Sequence, residues 1–345
     1  MTLVWFILIL SLIVGIHEFG HFIFAKLSNT YVYEFSIGMG KKLFGHKRKG
    51  GETEFCVRLV PLGGFVQIAG EDVVSDDSIP ADRQMCNKSF IQKFLILVAG
   101  AGFNFLLAFI LLFISGLIYG SISQTPYVGN VLEGYPAYEA GLREGDLITG
   151  INGDKVNSWD IAMLKMQTSY GDTLKFDVLR GEEKLTFDIT PVKIEDEDGN
   201  EAYKFGISAS YKVEKGFGNA IVYAYKKTGT LFQTMWETIK CLFTGKVGVD
   251  DFSGPVGIYN LVGAQAKQGF EAILYLAAYL SVNVGFINLL PLPAFDGGRI
   301  FFLIIEKIIG KEIPKNVENI IHSVGFLLLI GLLIFITFND IIKLF

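Results

Sequence analysis

Apolar positions in this chain do not alternate with polar ones over most of its length; they gather into long, nearly unbroken runs. Such runs lie near residues 3–26, 94–118, 271–292 and 320–338. A helix rises about 1.5 Å per residue and a bilayer core is about 30 Å thick, so roughly 20 apolar residues make one crossing. The pattern predicts four transmembrane helices. Between the second and third runs the texture changes. Short β-rich segments such as Val128–Leu132, Leu174–Arg180 and Leu185–Pro191 predict a compact mixed α/β domain over residues 122–212. After the first run, Glu54–Gln67 alternates as a strand pair would. Phe217–Phe243 mixes aromatic and basic positions without a clean spanning length. It fits either an amphipathic helix on the outer membrane surface or a helix packed on the α/β domain. The acidic run Glu195–Asp198, closed by Gly199 and Asn200, reads as a solvated turn.

These patterns divide the chain into residues 1–27 (first helix), 28–93 (polar loop with the β region), 94–120 (second helix), 121–212 (α/β domain), 213–269 (amphipathic surface segment), 270–310 (third helix) and 311–345 (fourth helix and C-terminus). Composition agrees. Of 345 residues, 51% are hydrophobic, too many for a soluble protein of this size. The first run lacks a basic leader and a small-residue cleavage site before Lys26, so a retained helix is expected rather than a signal peptide. Lys41, Lys42, Lys47, Arg48 and Lys49 follow the first helix, and Arg299, Lys307, Lys311 and Lys315 separate the last two. Basic loops stay cytoplasmic, so both termini and the α/β domain are expected outside the cytoplasm, although Lys226, Lys227 and Lys240 blur the contrast. A net charge of -5 without a basic stripe argues against nucleic acid, which leaves lipid and membrane proteins as partners. Cys56, Cys86 and Cys241 are too few and too scattered for a disulfide framework.

The chemistry is concentrated inside the apolar runs. His17-Glu18-Phe19-Gly20-His21 is an HExxH motif, and on a helix positions i and i+4 share a face. Both imidazoles can therefore meet one zinc, with Glu18 beside them to handle a water proton. Three ionisable side chains on one intramembrane turn need a compensating partner, and a metal supplies one. Catalytic zinc sites offer three protein ligands and keep the fourth position for water, so a further ligand is expected. Asp296 fits: it follows an apolar run interrupted by Pro291 and Pro293, and precedes Gly297 and Gly298. Broken backbone at membrane depth is tolerated where it lines a cavity, and could hold an extended substrate. His46 and His322 read as a solvated and an interfacial histidine.

HEFGH near the N-terminus, NLLPLPAFDGG (Asn288–Gly298), PLGGFV (Pro61–Val66) and SGPVGI (Ser253–Ile258) together resemble the site-2 protease family of intramembrane metalloproteases, in its regulator-of-sigma-E protease branch. GYPAYEAGLREGDLITGINGDKV (Gly134–Val156) resembles a bacterial PDZ domain, present once where some relatives carry two. The resemblance implies a polytopic α-helical membrane protein with an inserted α/β PDZ domain and a membrane-associated β-hairpin reaching toward the site. It implies one zinc on His17, His21 and Asp296, Glu18 as the catalytic base, and single-pass membrane proteins as substrates. The family's second-helix GPxxN appears as Gly100 to Asn104, with Ala101 in place of proline, which puts the local helix bend in question. Asn104 could donate to a developing oxyanion and Asn288, with Pro291 and Pro293, could bind substrate backbone; interhelical hydrogen bonds are the alternative for both amides. The PDZ domain could bind a peptide end or filter bulky substrates. An ion transporter would also place His and Asp in the bilayer, but needs neither Glu18 nor a PDZ domain and should show an inverted repeat. A catalytically silent scaffold would not need the ligands together with Glu18.

Overall fold

The computed structural model describes residues 1–71, 77–195, 201–210, 212–245, 248, 253–311 and 313–342, so residues 196–200 of the acidic run lie outside the described residues. The chain forms two compact units, Met1–Leu111 with Asp250–Phe345, and Leu112–Val249.

The first unit opens with α1 (Thr2–Leu27). It ends where Asn29 turns left-handed (φ 52°), with Thr30 N–H donating to Ala25 O (2.8 Å) and Asn29 N–H to Lys26 O (3.0 Å). Those two bonds satisfy carbonyls that a helix end otherwise leaves orphaned. Two long strands follow, β1 (Val32–Lys47) and β2 (Glu54–Ile68). The sequence suggests that Glu54–Gln67 pairs with itself. Instead both halves of β2 pair with β1: Phe35 faces Val66 on one side and Phe55 on the other. The second half of β1 then pairs outside the first half of β2, His46 facing Phe55. Bends at Gly38, Gly40 and Gly63, all at positive φ, allow each strand to double back. The sheet order is therefore 64–68, 32–37, 54–57, 42–47, with Gly64–Ile68 at one edge. Many apolar side chains on it are exposed, among them Met39, Phe44, Phe55 and Leu59. The second helix, α2 (Phe90–Tyr119), starts four residues before the apolar run predicts. Ser89 and Gln92 form a reciprocal capping box there, with Ser89 N–H donating to Gln92 Oε1 (3.1 Å) and Gln92 N–H to Ser89 Oγ (3.3 Å). It runs unbroken through Ala101.

The second unit contains β3 (Ser121–Ile122), β4 (Val128–Val131), α3 (Pro136–Glu139), β5 (Leu147–Ile151), β6 (Asp154–Lys155), α4 (Trp159–Gln167), β7 (Leu174–Arg180), β8 (Glu183–Ile189), β9 (Val192–Glu195), β10 (Glu201–Lys204), β11 (Ile207–Ala209), β12 (Val213–Glu214) and α5 (Phe217–Phe243). A four-stranded sheet in the order β6-β5-β7-β8 packs around Phe176, Ile148, Ile151 and Leu142, with Ile161 of α4 against it. Asn152 and Gly153, both at positive φ, make the tight turn between β5 and β6 that the ING sequence predicts. Asp146, buried at the head of β5, accepts from Arg180 Nε (2.7 Å) and Nη2 (2.8 Å). Burial alone would raise this carboxyl, but the Arg180 guanidinium outweighs it and holds the group below the usual carboxylate range. A depressed folded pKa stabilises above the unfolded value and loses that stability as pH falls through the folded one. Hydrogen exchange of β5 and β7 in the full chain should accordingly rise below about pH 4. Arg180→Leu should produce the same opening at neutral pH, on the order of 3 kcal/mol; unchanged protection would remove this pair from the domain's stability.

Both readings of the 217–243 segment find support in the faces of α5. Lys227, buried, pairs with Asp160 of α4 (2.5 Å), and Asn157 donates to Gln233 (3.1 Å), so one face packs on the α/β domain. Ile221, Tyr225, Phe232, Trp236 and Phe243 point away and are exposed.

The chain then returns to the first unit through α6 (Pro255–Gln268), α7 (Phe270–Leu289), α8 (Asp296–Ile309) and α9 (Lys315–Ile342). The break that Pro291 and Pro293 predict within 270–310 falls at 290–295, between α7 and α8, because the two prolines supply no N–H to continue α7. Among the described residues four helices are long and apolar enough to cross a membrane: α1, α2, α7 and Val317–Ile342 of α9. The fold is the polytopic helical one with an inserted α/β domain. Phe326, Leu327, Leu328 and Ile334 of α9 are exposed, a face suited to lipid rather than water.

Candidate active site

The three ionisable residues expected to share a metal meet although Asp296 lies far down the chain. His17 Nε2 and His21 Nε2 are 3.2 Å apart, and Asp296 Oδ2 lies 3.1 Å from the first and 3.2 Å from the second. Tetrahedral zinc with bonds of about 2.0–2.1 Å separates its ligands by about 3.3 Å, so the triangle fits one ion. The rest of the arrangement prepares the same result. His21 Nδ1–H donates to the backbone carbonyl of Ile96 (2.8 Å), which in the neutral ring directs the Nε2 lone pair toward the triangle. Asp296 Oδ2 is buried with no hydrogen-bond donor among the described residues. With both rings neutral and carrying their proton on Nδ1, three lone pairs would converge here, an arrangement that a cation relieves.

Close helix packing makes this convergence possible. A Cβ on Gly20 of α1 would strike the carbonyl of Ala99, and one on Gly100 of α2 would run into His21 Nε2 and lie 2.8 Å from His17 Cε1. The motif's glycine and the glycine facing it let the two backbones approach until both rings stand over α2. On α8, Gly297 and Gly298 let the first turn, which carries Asp296, sit on the backbone of 289–292.

Glu18 is half-buried, and its Oε2 accepts the backbone N–H of Val66 (3.0 Å). The free edge of the sheet therefore runs past the HExxH turn. Ser11 Oγ donates to Pro61 O (2.5 Å) about two helical turns earlier, so β2 follows α1 into its apolar part. Asn104 is fully buried, with its amide 3.2 Å from His17 Nδ1. Turned so that Oδ1, otherwise without a partner, accepts from Nδ1–H, it fixes His17 as Ile96 fixes His21. The group offered by the sequence as an oxyanion donor thus lies against the His17 ring. Asn288, offered for substrate backbone, donates within its own helix to Val284 O (2.9 Å). Pro291 is exposed and Pro293 half-buried in the loop before Asp296.

Several of these groups carry no sequence signal, since Val66 N–H and Ile96 O are backbone atoms. His322 accepts the Ala294 N–H of the Asp296 loop (3.0 Å), a contact with no sequence signal of its own. His46 is exposed, as expected. A second cluster with ligand-type atoms, Glu34, Glu54 and Cys56, lies on the sheet. Its carboxylates are already neutralised by Arg58 (2.7 Å) and Lys42 (2.5 Å).

Residues 5–332 match the profile of Peptidase family M50. A Clostridium perfringens protein provisionally named a zinc metalloprotease is 38% identical over 343 residues, covering 99% of each chain. The Regulator of sigma-W protease RasP of Bacillus subtilis is 31% identical over 421 aligned positions, covering 100% of this chain and 99% of its own. That alignment is longer than this chain, so the relative carries segments absent here. Among solved structures, the PDZ domain of the SdrC-like protein from Listeria monocytogenes is 30% identical over 25% of this chain and 88% of its own, with a TM-score of 0.22. With a family match over nearly the whole sequence and relatives covered almost end to end, the chain belongs to peptidase family M50, and it is a membrane zinc metalloprotease.

Proposed function

We propose that this protease hydrolyses peptide bonds within the transmembrane segments of single-pass membrane proteins, with His17, His21 and Asp296 holding its zinc and Glu18 as the catalytic acid and base. The observation that carries this reading is the convergence of the triangle on helices of spanning length. His17 lies roughly 20 Å along α1 at 1.5 Å per residue. A bond cut there has to be brought to membrane depth.

Held by His17, His21 and Asp296, zinc would supply a Lewis acid that lowers the pKa of water toward about 7 and polarises the scissile carbonyl. Glu18 takes the water's proton; Val66 N–H occupies Oε2, which leaves Oε1 as the basic atom. The same carboxyl then returns the proton to the leaving amine. Asn104 keeps the His17 ring oriented. Helical substrate hides its carbonyls in backbone bonds and must first unwind. Apart from the Val66 N–H held by Glu18, the edge strand Gly64–Ile68 suits an added substrate strand, and the non-helical Pro291–Pro293 segment suits the opposite side of that strand. Asn288 would join it by exchanging Val284 O for substrate.

The charge pattern supports a bacterial plasma membrane protein with the PDZ domain outside and the zinc nearer the cytoplasmic side. The exposed aromatic face of α5 would rest on the outer lipid surface. The PDZ domain would meet an extended peptide end of the substrate. Membrane-anchored regulators such as anti-sigma factors and remnant signal peptides have the required form, and the Bacillus relative is named for regulation of sigma-W.

The test is cleavage of a single-pass substrate by the purified protein in detergent, with product masses locating the cut. Cuts inside the apolar segment are expected. Cuts confined to the flanking soluble residues would sink the proposal.

A further inference from the structure

The loop that presents Asp296 contains one backbone donor that its own segment cannot satisfy. Between α7 and α8, Pro291 and Pro293 have no N–H. Leu290 N–H donates to Ile287 O (3.1 Å), Leu292 N–H to Leu290 O (2.6 Å) and Phe295 N–H to Leu292 O (3.3 Å). Ala294 remains. It is held left-handed (φ 73°), a conformation that a residue with a Cβ adopts only under constraint, and its N–H turns away from the loop. Its partner is His322 Nδ1 on α9, at 3.0 Å, 28 residues further along the chain.

The histidine is itself fixed from several directions. Its ring packs on Phe302 of α8, with centroids 5.7 Å apart. Gly298, two residues beyond Asp296, leaves room for it, since a Cβ there would come within 3.3 Å of His322 Cε1. One turn on, Gly325 lets α9 close against Pro293, whose Cβ an alanine would strike. The first turns of α9 are therefore shaped to this loop, while much of its remaining length is exposed.

We infer that His322 is a positioning residue for the metal centre: by accepting the Ala294 N–H it locks the left-handed turn that aims Asp296 at His17 and His21. It touches neither substrate nor zinc. Its effect passes through the loop, and the part that matters is the Nδ1 acceptor rather than the ring. The inference rests on Asp296 as a zinc ligand.

Retention of zinc by the purified full-length chain against a chelator separates these ideas. His322→Phe keeps the ring and its packing on Phe302 but removes the acceptor; it should release zinc about 10-fold faster or more, the range found when partners of metal ligands are removed. His322→Asn places Oδ1 near the lost Nδ1 and should recover most of the retention. Both chains should keep wild-type helical content and elute as wild type. The inference is overturned if His322→Phe holds zinc like wild type, if His322→Asn fails as badly, or if His322→Phe loses its fold together with its metal. Asp296→Asn is measured alongside. Zinc held normally by that variant defeats the ligand reading itself, whereas its loss beside an unaffected His322→Phe defeats only the role of His322.

Discussion

Glu18→Gln is expected to lower cleavage of a single-pass substrate by about 10²–10⁴-fold, the range attributed to a positioned acid or base, while zinc content and thermal stability stay at wild-type levels. Glutamine has the volume of glutamate and keeps an oxygen for the Val66 N–H, so the contact between α1 and the sheet edge survives. What it cannot do is take a proton from water or carry one to the leaving amine. Cleavage and metal content measured on the same detergent preparation check this. Activity near wild type would remove Glu18 from the chemistry, and loss of zinc along with activity would make it a structural residue instead.

The second large effect is expected from a single methyl group. Gly100→Ala should abolish zinc binding and cleavage, and Gly102→Ala, on the same helix, should change neither. A Cβ at Gly100 meets the imidazole of His21 and comes within 2.8 Å of His17, whereas one at Gly102 meets nothing within 4 Å. Both substitutions favour the helix intrinsically, by about 1 kcal/mol, so a difference between them reports the local collision rather than propensity. Neither ring has room to retreat, because His21 is tied to Ile96 O and His17 lies against Asn104. Zinc analysis of the two variants decides the matter. Full occupancy in Gly100→Ala would mean that the rings do not stand over α2 as described.

How far the sequence foretells this arrangement depends on the range of the interactions concerned. The four long helices are written locally in unbroken apolar runs. The pairing of His17 with His21 follows from helical period alone. Asp296 could be singled out because prolines and glycines betray the broken backbone around it, and the site needs another anionic ligand. The doubled ladder of β1 and β2 was not legible, since alternation in Glu54–Gln67 gives two extended segments but not the partner between which Phe35 inserts itself. Nor could spacing show that Gly100 faces the histidines or that Asn104 reaches His17. Those are consequences of how closely α1 and α2 approach. His322 shows in the sequence as a polar residue entering an apolar helix, but nothing nearby in sequence needs its acceptor. Its partner, the Ala294 N–H, is a backbone group whose isolation appears only once the loop is folded.

Zinc-edge X-ray absorption on the purified chain tests the central claim most directly, since it reads the donor atoms without relying on activity. Coordination by two imidazole nitrogens and oxygen donors, with no sulfur, is the expected result for His17, His21 and Asp296. A sulfur ligand, as a site at Glu34, Glu54 and Cys56 would give, or a first coordination sphere that Asp296→Asn leaves unchanged, would contradict it.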